Sequence, residues 1–362
     1  MPGARRHSVF HPLRVASVER LTDDAVAITF DVPPELREEF RFRAGQHVSV
    51  RSPVVGDEVR RNYSICAPAT SGPLRIGVKR LPDGVFSSYA AERLRPGDVL
   101  DIMTPTGSFC PPLHPGQRKR YAAIAAGSGI TPVLSILSTA LEVEPDSSAV
   151  LIYVNRTTLT IMFLEDLEDL KNRYPDRFQL IHVLDEEPTD VEILSGRLDA
   201  ARLRRILDCL VPGDVDEWFL CGPLPMTDAA REVLLARGTD DEHVHRELFF
   251  VGPPPPASSA AASATSEPTV GASVTVLLDG RAQTFVLPED GASILDATLR
   301  YRSDAPFACK NGVCGTCRAK VIEGKVRMDA NYALEPADVA AGYALACQSH
   351  PAADRVVLDF DQ

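Results

Sequence analysis

Nowhere in its 362 residues does the chain approach the ~18 consecutive apolar residues of a membrane-spanning helix. Arg5 and Arg6 stand near the start with no apolar stretch behind them, which argues against a secretory signal and for a cytoplasmic location. Basic charge is also in short supply. With 38 Lys and Arg against 50 Asp and Glu, the net charge is −12, and no basic stripe offers a face to nucleic acid. Internal repeats are missing as well. Of the eight cysteines, Cys66, Cys110, Cys209 and Cys221 lie scattered in apolar surroundings and read as reduced, buried thiols.

The other four cysteines are patterned. Cys309, Cys314 and Cys317 are separated by four residues and then two, and Cys347 follows after a long gap. This is the plant-type [2Fe–2S] ligand spacing, in which one short loop supplies three thiolates and the fourth closes the cage from elsewhere. Gly312 and Gly315 suit such a loop, because residues without a Cβ let backbone N–H groups approach the cluster sulfurs. A tetrathiolate zinc site, the competing reading, usually shows two Cys-x-x-Cys pairs. Here there is one, Cys314 and Cys317.

Composition and pattern divide the chain into residues 1–115, 116–251, a linker at 252–270, and 271–362. The linker opens Gly-Pro-Pro-Pro-Pro, continues rich in Ala and Ser, and has no hydrophobic period with which to bury a core. The first segment reads as short strands at Ala25–Phe30, His47–Val50, Asn62–Cys66, Leu74–Val78 and Val99–Met103, punctuated by turn residues. Such regular short strands predict a closed antiparallel barrel or a sandwich. In the second segment, buried-strand runs at Tyr121–Ala126, Val150–Val154, Gln179–Val183 and Trp218–Leu220 alternate with helical patterns. One helical stripe is Ile161, Leu164, Leu167, Leu170 and Tyr174, and another runs from Met226 to a stop at Gly238. Alternation of this kind predicts a parallel sheet covered on both faces. The last segment mixes strands with a helix capped by Ser293.

Several short motifs bear chemistry. Gly127, Gly129, Thr131 and Pro132 follow the first buried strand and open a helix, with Thr131 as its expected cap and Pro132 in its first turn. A pyrophosphate fits such an N-terminus, although the spelling is not GxGxxG and a plain strand–helix turn looks similar. Arg156, at the end of the next strand, suits a 2′-phosphate, and no Asp or Glu occurs between Val150 and Leu164 to bind a ribose 2′-hydroxyl. NADPH is therefore favoured over NADH, unless Arg156 is simply solvated. Cys221, Gly222 and Pro223 end a strand in a tight turn where a thiol can stand beside a nicotinamide, or can serve as an ordinary buried cysteine. Arg61, Tyr63 and Ser64 share a barrel strand and offer a diphosphate grip, a flat flank and a hydroxyl. Gly84, Ser87 and Ser88 start a second helix, for anion binding or for plain capping.

In this order the motifs resemble the ferredoxin–NADP reductase-like flavoenzymes joined to a plant-type ferredoxin domain. The resemblance implies a multidomain α/β and β protein: an antiparallel flavin-binding β-barrel, a parallel α/β NADP-binding domain and a C-terminal β-grasp ferredoxin domain. It implies that Arg61, Tyr63 and Ser64 bind FAD, with Val78 and Lys79 near the flavin and Gly84, Ser87 and Ser88 on its diphosphate. Gly127, Gly129, Thr131 and Pro132 would hold the nucleotide, and Cys221, Gly222, Pro223 and Met226 its nicotinamide side. Glu247 and Phe249 match the family's acidic-then-aromatic ending and, with Ser64 and Cys221, are the expected catalytic positions. Two longer stretches, Asn155–Phe163 with Leu170-Lys171 and Met328–Glu335 with Ala346–Pro351, resemble the branch of reductases that serves phenylacetyl-CoA epoxidases. Val154, where relatives often have glycine, departs from that pattern. The implied path is NADPH to FAD to [2Fe–2S] to a separate di-iron oxygenase, and the alternative partner is a Rieske-type or other ring hydroxylase. Hydride brings two electrons together and the cluster accepts one, so a flavin is expected between them.

Overall fold

The computed structural model describes residues 10–52, 59–211, 213–249, 271–288 and 291–362, so the expected linker at 252–270 lies outside the described residues. The described residues divide into two compact units, one of 11–249 and one of 271–362, with Phe10 grouped with the second. Among the described residues no helix is long and apolar enough to cross a membrane.

The first unit begins with β1 (Phe10–Thr22), β2 (Ala25–Asp31), β3 (His47–Arg51), β4 (Arg60–Ser64), β5 (Arg75–Lys79), helix α1 (Val85–Glu92) and β6 (Val99–Met103). The strands form one sheet in the order β4-β3-β6-β1-β2-β5. An antiparallel bridge between Ile65 and Ile76 joins its two edges, which closes the barrel and removes the open edges. Val15, Ile28, Val48, Ile76, Val78 and Ile102 fill the interior. The expected strand at Asn62–Cys66 is placed slightly late, since regular pairing ends at Ser64.

The same unit continues with β7 (Arg120–Ala126), α2 (Ile130–Val143), β8 (Ser148–Asn155), α3 (Leu164–Arg173), β9 (Phe178–Leu184), α4 (Ala200–Leu210), β10 (Glu217–Cys221), α5 (Leu224–Ala236) and β11 (Val244–Glu247). The sheet order is β11-β10-β7-β8-β9, with every strand pair parallel. Apolar clusters on both faces explain why its strands read as continuous hydrophobic runs. β7 and β8 are neighbours, as are β7 and β10, so their C-terminal ends lie side by side. That edge is where a nucleotide is bound in open α/β sheets. Gly238 ends α5 in the left-handed region, at φ +91°, as its position predicts.

The second unit contains β12 (Ala272–Leu278), β13 (Arg281–Leu287), α6 (Ile294–Leu299), β14 (Arg318–Glu323), β15 (Val326–Met328), α7 (Pro336–Ala340), β16 (Tyr343–Leu345), β17 (Ser349–Pro351) and β18 (Arg355–Asp359). A mixed sheet in the order β13-β12-β18-β14-β16 carries the core, and α6 packs on it through Ile294, Leu295 and Ala297. Ser293 caps α6, its hydroxyl accepting from the Asp296 N–H at 3.1 Å.

Candidate functional site

The barrel and the nucleotide sheet meet at the C-terminal ends of β7 and β10. A Cβ placed on Gly129 would collide with the carbonyl oxygen of Cys221 and lie 2.6 Å from its carbon, so only glycine lets the start of α2 sit against the end of β10. A Cβ on Gly222 would lie 2.6 Å from Cε of Met226. Gly129, Cys221, Gly222 and Met226 therefore converge, with Pro223 exposed at the lip as the cap of α5. Cys221 is fully buried, and burial, reinforced by the nearby Glu247 carboxyl, pushes its thiol well up. It is a neutral thiol.

Glu247 ends β11 in register with Cys221. The Ser64 hydroxyl on β4 donates to Glu247 Oε2 at 3.1 Å, across 183 residues of sequence. Burial pushes the Glu247 carboxyl up to about 8, against the opposing pull of that hydrogen bond, so the group carries its proton at neutral pH. Phe249, two residues on, is 40% exposed.

On the barrel side, the Tyr63 ring packs against Phe86 with centroids 5.5 Å apart. Burial raises the pKa of Tyr63 and keeps its phenol neutral. Arg61 is exposed and donates to the Arg60 carbonyl at 2.8 Å, and a guanidinium so placed can also grip an anion such as a diphosphate. Val78 faces the barrel core, so its backbone alone can serve a ligand. Gly84 is the N-cap of α1, and Ser87 is engaged locally, donating to the Gly84 carbonyl at 3.3 Å and accepting from the Leu81 N–H at 3.2 Å. Plain capping describes Ser87. Ser88 is half-buried beside it. Lys79 reaches across the junction, and its Nζ lies 3.9 Å from the Cβ position of Gly127.

The expected cap of α2 needs correction. Gly127–Gly129 forms a 3-10 turn, Gly129 is the N-cap, and Thr131 lies inside the helix, its hydroxyl donating to the Ser128 carbonyl at 3.0 Å. The glycines start the helix two residues before Thr131, the cap that the spelling suggested. Pro132 follows in the first turn, where its missing N–H costs no hydrogen bond. The Tyr153 hydroxyl fastens the turn to β8 through the Gly127 carbonyl at 2.9 Å.

At the end of β8, both side-chain polar atoms of Asn155 are buried with no hydrogen-bond partner among the described residues, the nearby Tyr153 hydroxyl being turned to the carbonyls of Gly127 and Met162. Arg156 is well exposed. The sequence places no acidic residue between Val150 and Leu164, but the fold brings three from the end of the next strand. Asp185, Glu186 and Glu187 follow β9, the Glu186 N–H donates to the Arg156 carbonyl at 2.9 Å, and Glu187 accepts from the Thr158 N–H and hydroxyl at 2.7 and 2.9 Å. The signal was an acidic run directly after a parallel strand. Cys209 is a second correction: it is exposed, because α4 is amphipathic and presents that position to solvent.

In the second unit Cys317 and Cys347 are buried in the core, and Cys309 and Cys314 are half-buried. The neighbouring Cys314 and loop N–H groups hold the Cys309 thiol below its ordinary range, against the effect of burial. The Asn311 N–H donates to Cys309 Sγ at 3.3 Å. Gly312 and Gly315, at φ +74° and +65°, turn the loop, and Gln348 fastens it through the Lys310 carbonyl at 2.8 Å. Among the described residues, the three-donor group whose ligand atoms all lie within 4.8 Å of one another is Asp240, Glu242 and His243, and no three of these sulfurs come that close. A tetrahedral zinc ion, with Zn–S bonds of about 2.3 Å, would gather all four. The wider spacing suits the two irons of a [2Fe–2S] cluster better than a single ion.

Comparison with known proteins agrees with this layout. Residues 12–110 match the oxidoreductase FAD-binding domain, 123–232 the oxidoreductase NAD-binding domain and 276–352 the 2Fe-2S iron-sulfur cluster binding domain. The chain is 45% identical over 355 residues to one of the subunits of the 1,2-phenylacetyl-CoA epoxidase of Escherichia coli, with 98% of each protein covered. It is 34% identical over 352 residues to the ferredoxin reductase component of 3-ketosteroid-9-alpha-monooxygenase of Rhodococcus rhodochrous, with 96% of each covered. Among solved structures, phthalate dioxygenase reductase shares the fold with a TM-score of 0.58 at 22% identity, over 97% of this chain and 98% of that one. Full-length CYP116B46 from Tepidiphilus thermophilus gives a TM-score of 0.65 at 26% identity, over 98% of this chain and 42% of that one.

Proposed function

The chain belongs to the oxidoreductases that join FAD-binding and NAD-binding domains to a 2Fe-2S iron-sulfur cluster binding domain, and on that premise we propose that it is the reductase of a phenylacetyl-CoA epoxidase. Electrons would pass from NADPH to FAD to [2Fe–2S] and on to the di-iron centre of a separate oxygenase. The observation that carries this reading is the 45% identity to a component of such an epoxidase over 98% of both proteins.

When bound, the flavin takes an electron pair as hydride and releases electrons singly, which a one-electron cluster requires. Arg61, Tyr63 and Ser64 would grip and flank the FAD, with Val78 and Lys79 near the ring and Gly84, Ser87 and Ser88 at its diphosphate. Gly127, Gly129, Thr131 and Pro132 would cradle the nucleotide phosphates at the start of α2. Cys221, Gly222, Pro223 and Met226 would wall the nicotinamide, and Arg156 would meet the 2′-phosphate. Glu247 holds a proton that Ser64 orients, and Phe249 stands at the exposed end of the same segment. Cys309, Cys314, Cys317 and Cys347 would together hold the two irons of the cluster.

The partner is tested with purified protein and NADPH, following product formation by a phenylacetyl-CoA epoxidase and, separately, by a Rieske-type ring hydroxylase. Turnover of the epoxidase is the expected result. Support of the hydroxylase alone would show the epoxidase reading to be wrong.

A further inference from the structure

At the edge that receives the nucleotide, one carboxylate comes from the barrel. Asp24 lies in the tight turn between β1 and β2, and the turn locks it in place. Thr22, itself buried, donates its hydroxyl to Asp24 Oδ1 at 2.8 Å, while the Asp24 N–H returns to that hydroxyl at 3.3 Å. The other oxygen, Oδ2, faces two cations from two different segments: Lys79 Nζ at 3.7 Å and Arg156 Nη2 at 3.9 Å. Lys79 is also the group that reaches the Gly127 turn. Both ion pairs are longer than a hydrogen bond, so Asp24 acts on these cations through its field more than through directed contact. The carboxylate side chain is 26% exposed, and solvent screens the three charges only in part.

We propose that Asp24 is a specificity-determining counter-charge that weakens the hold of this site on a 2′-phosphorylated nucleotide. With no nucleotide bound, it balances Lys79 and Arg156. With one bound, the same fixed negative charge opposes the phosphates, so the oxidised product leaves readily. NADPH carries one phosphate more than NADH beside Arg156, so the opposition falls more heavily on it. This inference rests on the reading above that Arg156 meets the 2′-phosphate.

Asp24→Asn isolates the charge, because the amide oxygen still accepts from Thr22. The test measures flavin-dependent ferricyanide reduction with NADPH and with NADH, at low and at high salt, in fully loaded protein. The expected result for Asp24→Asn is a roughly tenfold fall at low salt in both the KM for NADPH and the inhibition constant for NADP+. The change for NADH is smaller, the gap closes at high salt, and Asp24→Glu behaves as the unmodified protein. An unchanged or raised KM for NADPH in Asp24→Asn overturns the proposal. Arg156→Ala distinguishes the two levels of the argument. Loss of NADPH preference in Arg156→Ala with an inert Asp24→Asn discards the counter-charge and keeps the 2′-phosphate assignment. No change of preference in Arg156→Ala discards that assignment and the inference with it.

Discussion

At Glu247 burial and one hydrogen bond pull in opposite directions, and burial prevails, raising the carboxyl from 4.5 to about 8. A raised acid is neutral in the folded protein while the unfolded chain has already ionised. Its contribution to stability is fully present below about pH 4.5, is lost as pH rises, and is gone above about pH 8. Between those limits the loss amounts to on the order of 3 kcal/mol once partial exposure is discounted. Glu247→Gln should flatten this slope, which denaturant unfolding at intervals from pH 5 to 9 would measure. An unchanged slope in the variant means that some other group sets it. Ser64→Ala should steepen the upper limb, since it removes the one contact that favours the ionised form. At this scale the sequence was readable where neighbours in the chain share one element, as Arg61, Tyr63 and Ser64 share β4. The Ser64–Glu247 bond spans 183 residues, and Asp24 has partners on two other segments, so no local pattern announced either of them.

The joint between β5 on the barrel and the start of α3 shows what holds these elements in place. Phe163 enters α3 in the left-handed region at φ +59°, an uncommon conformation for a bulky residue, and its side chain is buried. A Cβ on Gly77 of β5 would lie 2.9 Å from this ring and 2.7 Å from Cγ2 of Thr131. Arg75, on the same strand, covers the ring at 5.2 Å and pairs with Asp166 at 2.6 Å and Glu19 at 2.7 Å. Gly77→Ala should therefore wedge the start of α2 away from the barrel, at a cost of about 1–3 kcal/mol. The expected outcome is slower flavin reduction by NADPH in stopped flow, with flavin and iron contents unchanged. Full-speed reduction would mean that the joint does not position the nucleotide. Most elements were legible from period and punctuation, and β7 to β10 were found within a few residues. β1 was not, because register shifts between Val15 and Ser17 and between Arg20 and Thr22 break the alternation that marks a strand. Helix α4 also escaped, since its stripe of Leu203, Ile206 and Leu207 is interleaved with Arg202, Arg204 and Arg205.

For the whole molecule, the division of labour follows from two cores that share no residue: the clusters of the His11–Phe249 unit on one side, and the cluster lined by Phe285, Cys317 and Cys347 on the other. The unit holding the hydride chemistry is complete in its fold without the thiol loop. Cys309→Ser should then remove iron and acid-labile sulfide and abolish turnover of the oxygenase. Bleaching of the flavin by NADPH should proceed at the unmodified rate, because Ser64, Cys221 and Glu247 all belong to the other unit. Anaerobic stopped flow, with iron analysis of the same preparation, checks both halves. Retained iron together with retained turnover would show that Cys309 is not a ligand. Loss of flavin reduction alongside iron would show that the two units do not fold independently. The thiol loop was the most patterned part of the chain because three of its four expected ligands fall within nine residues, and only Cys347 lies far away in the sequence. The spread of the four sulfurs needed three dimensions: among the described residues no three of them lie within 4.8 Å of one another, a spacing that suits two irons better than one zinc ion.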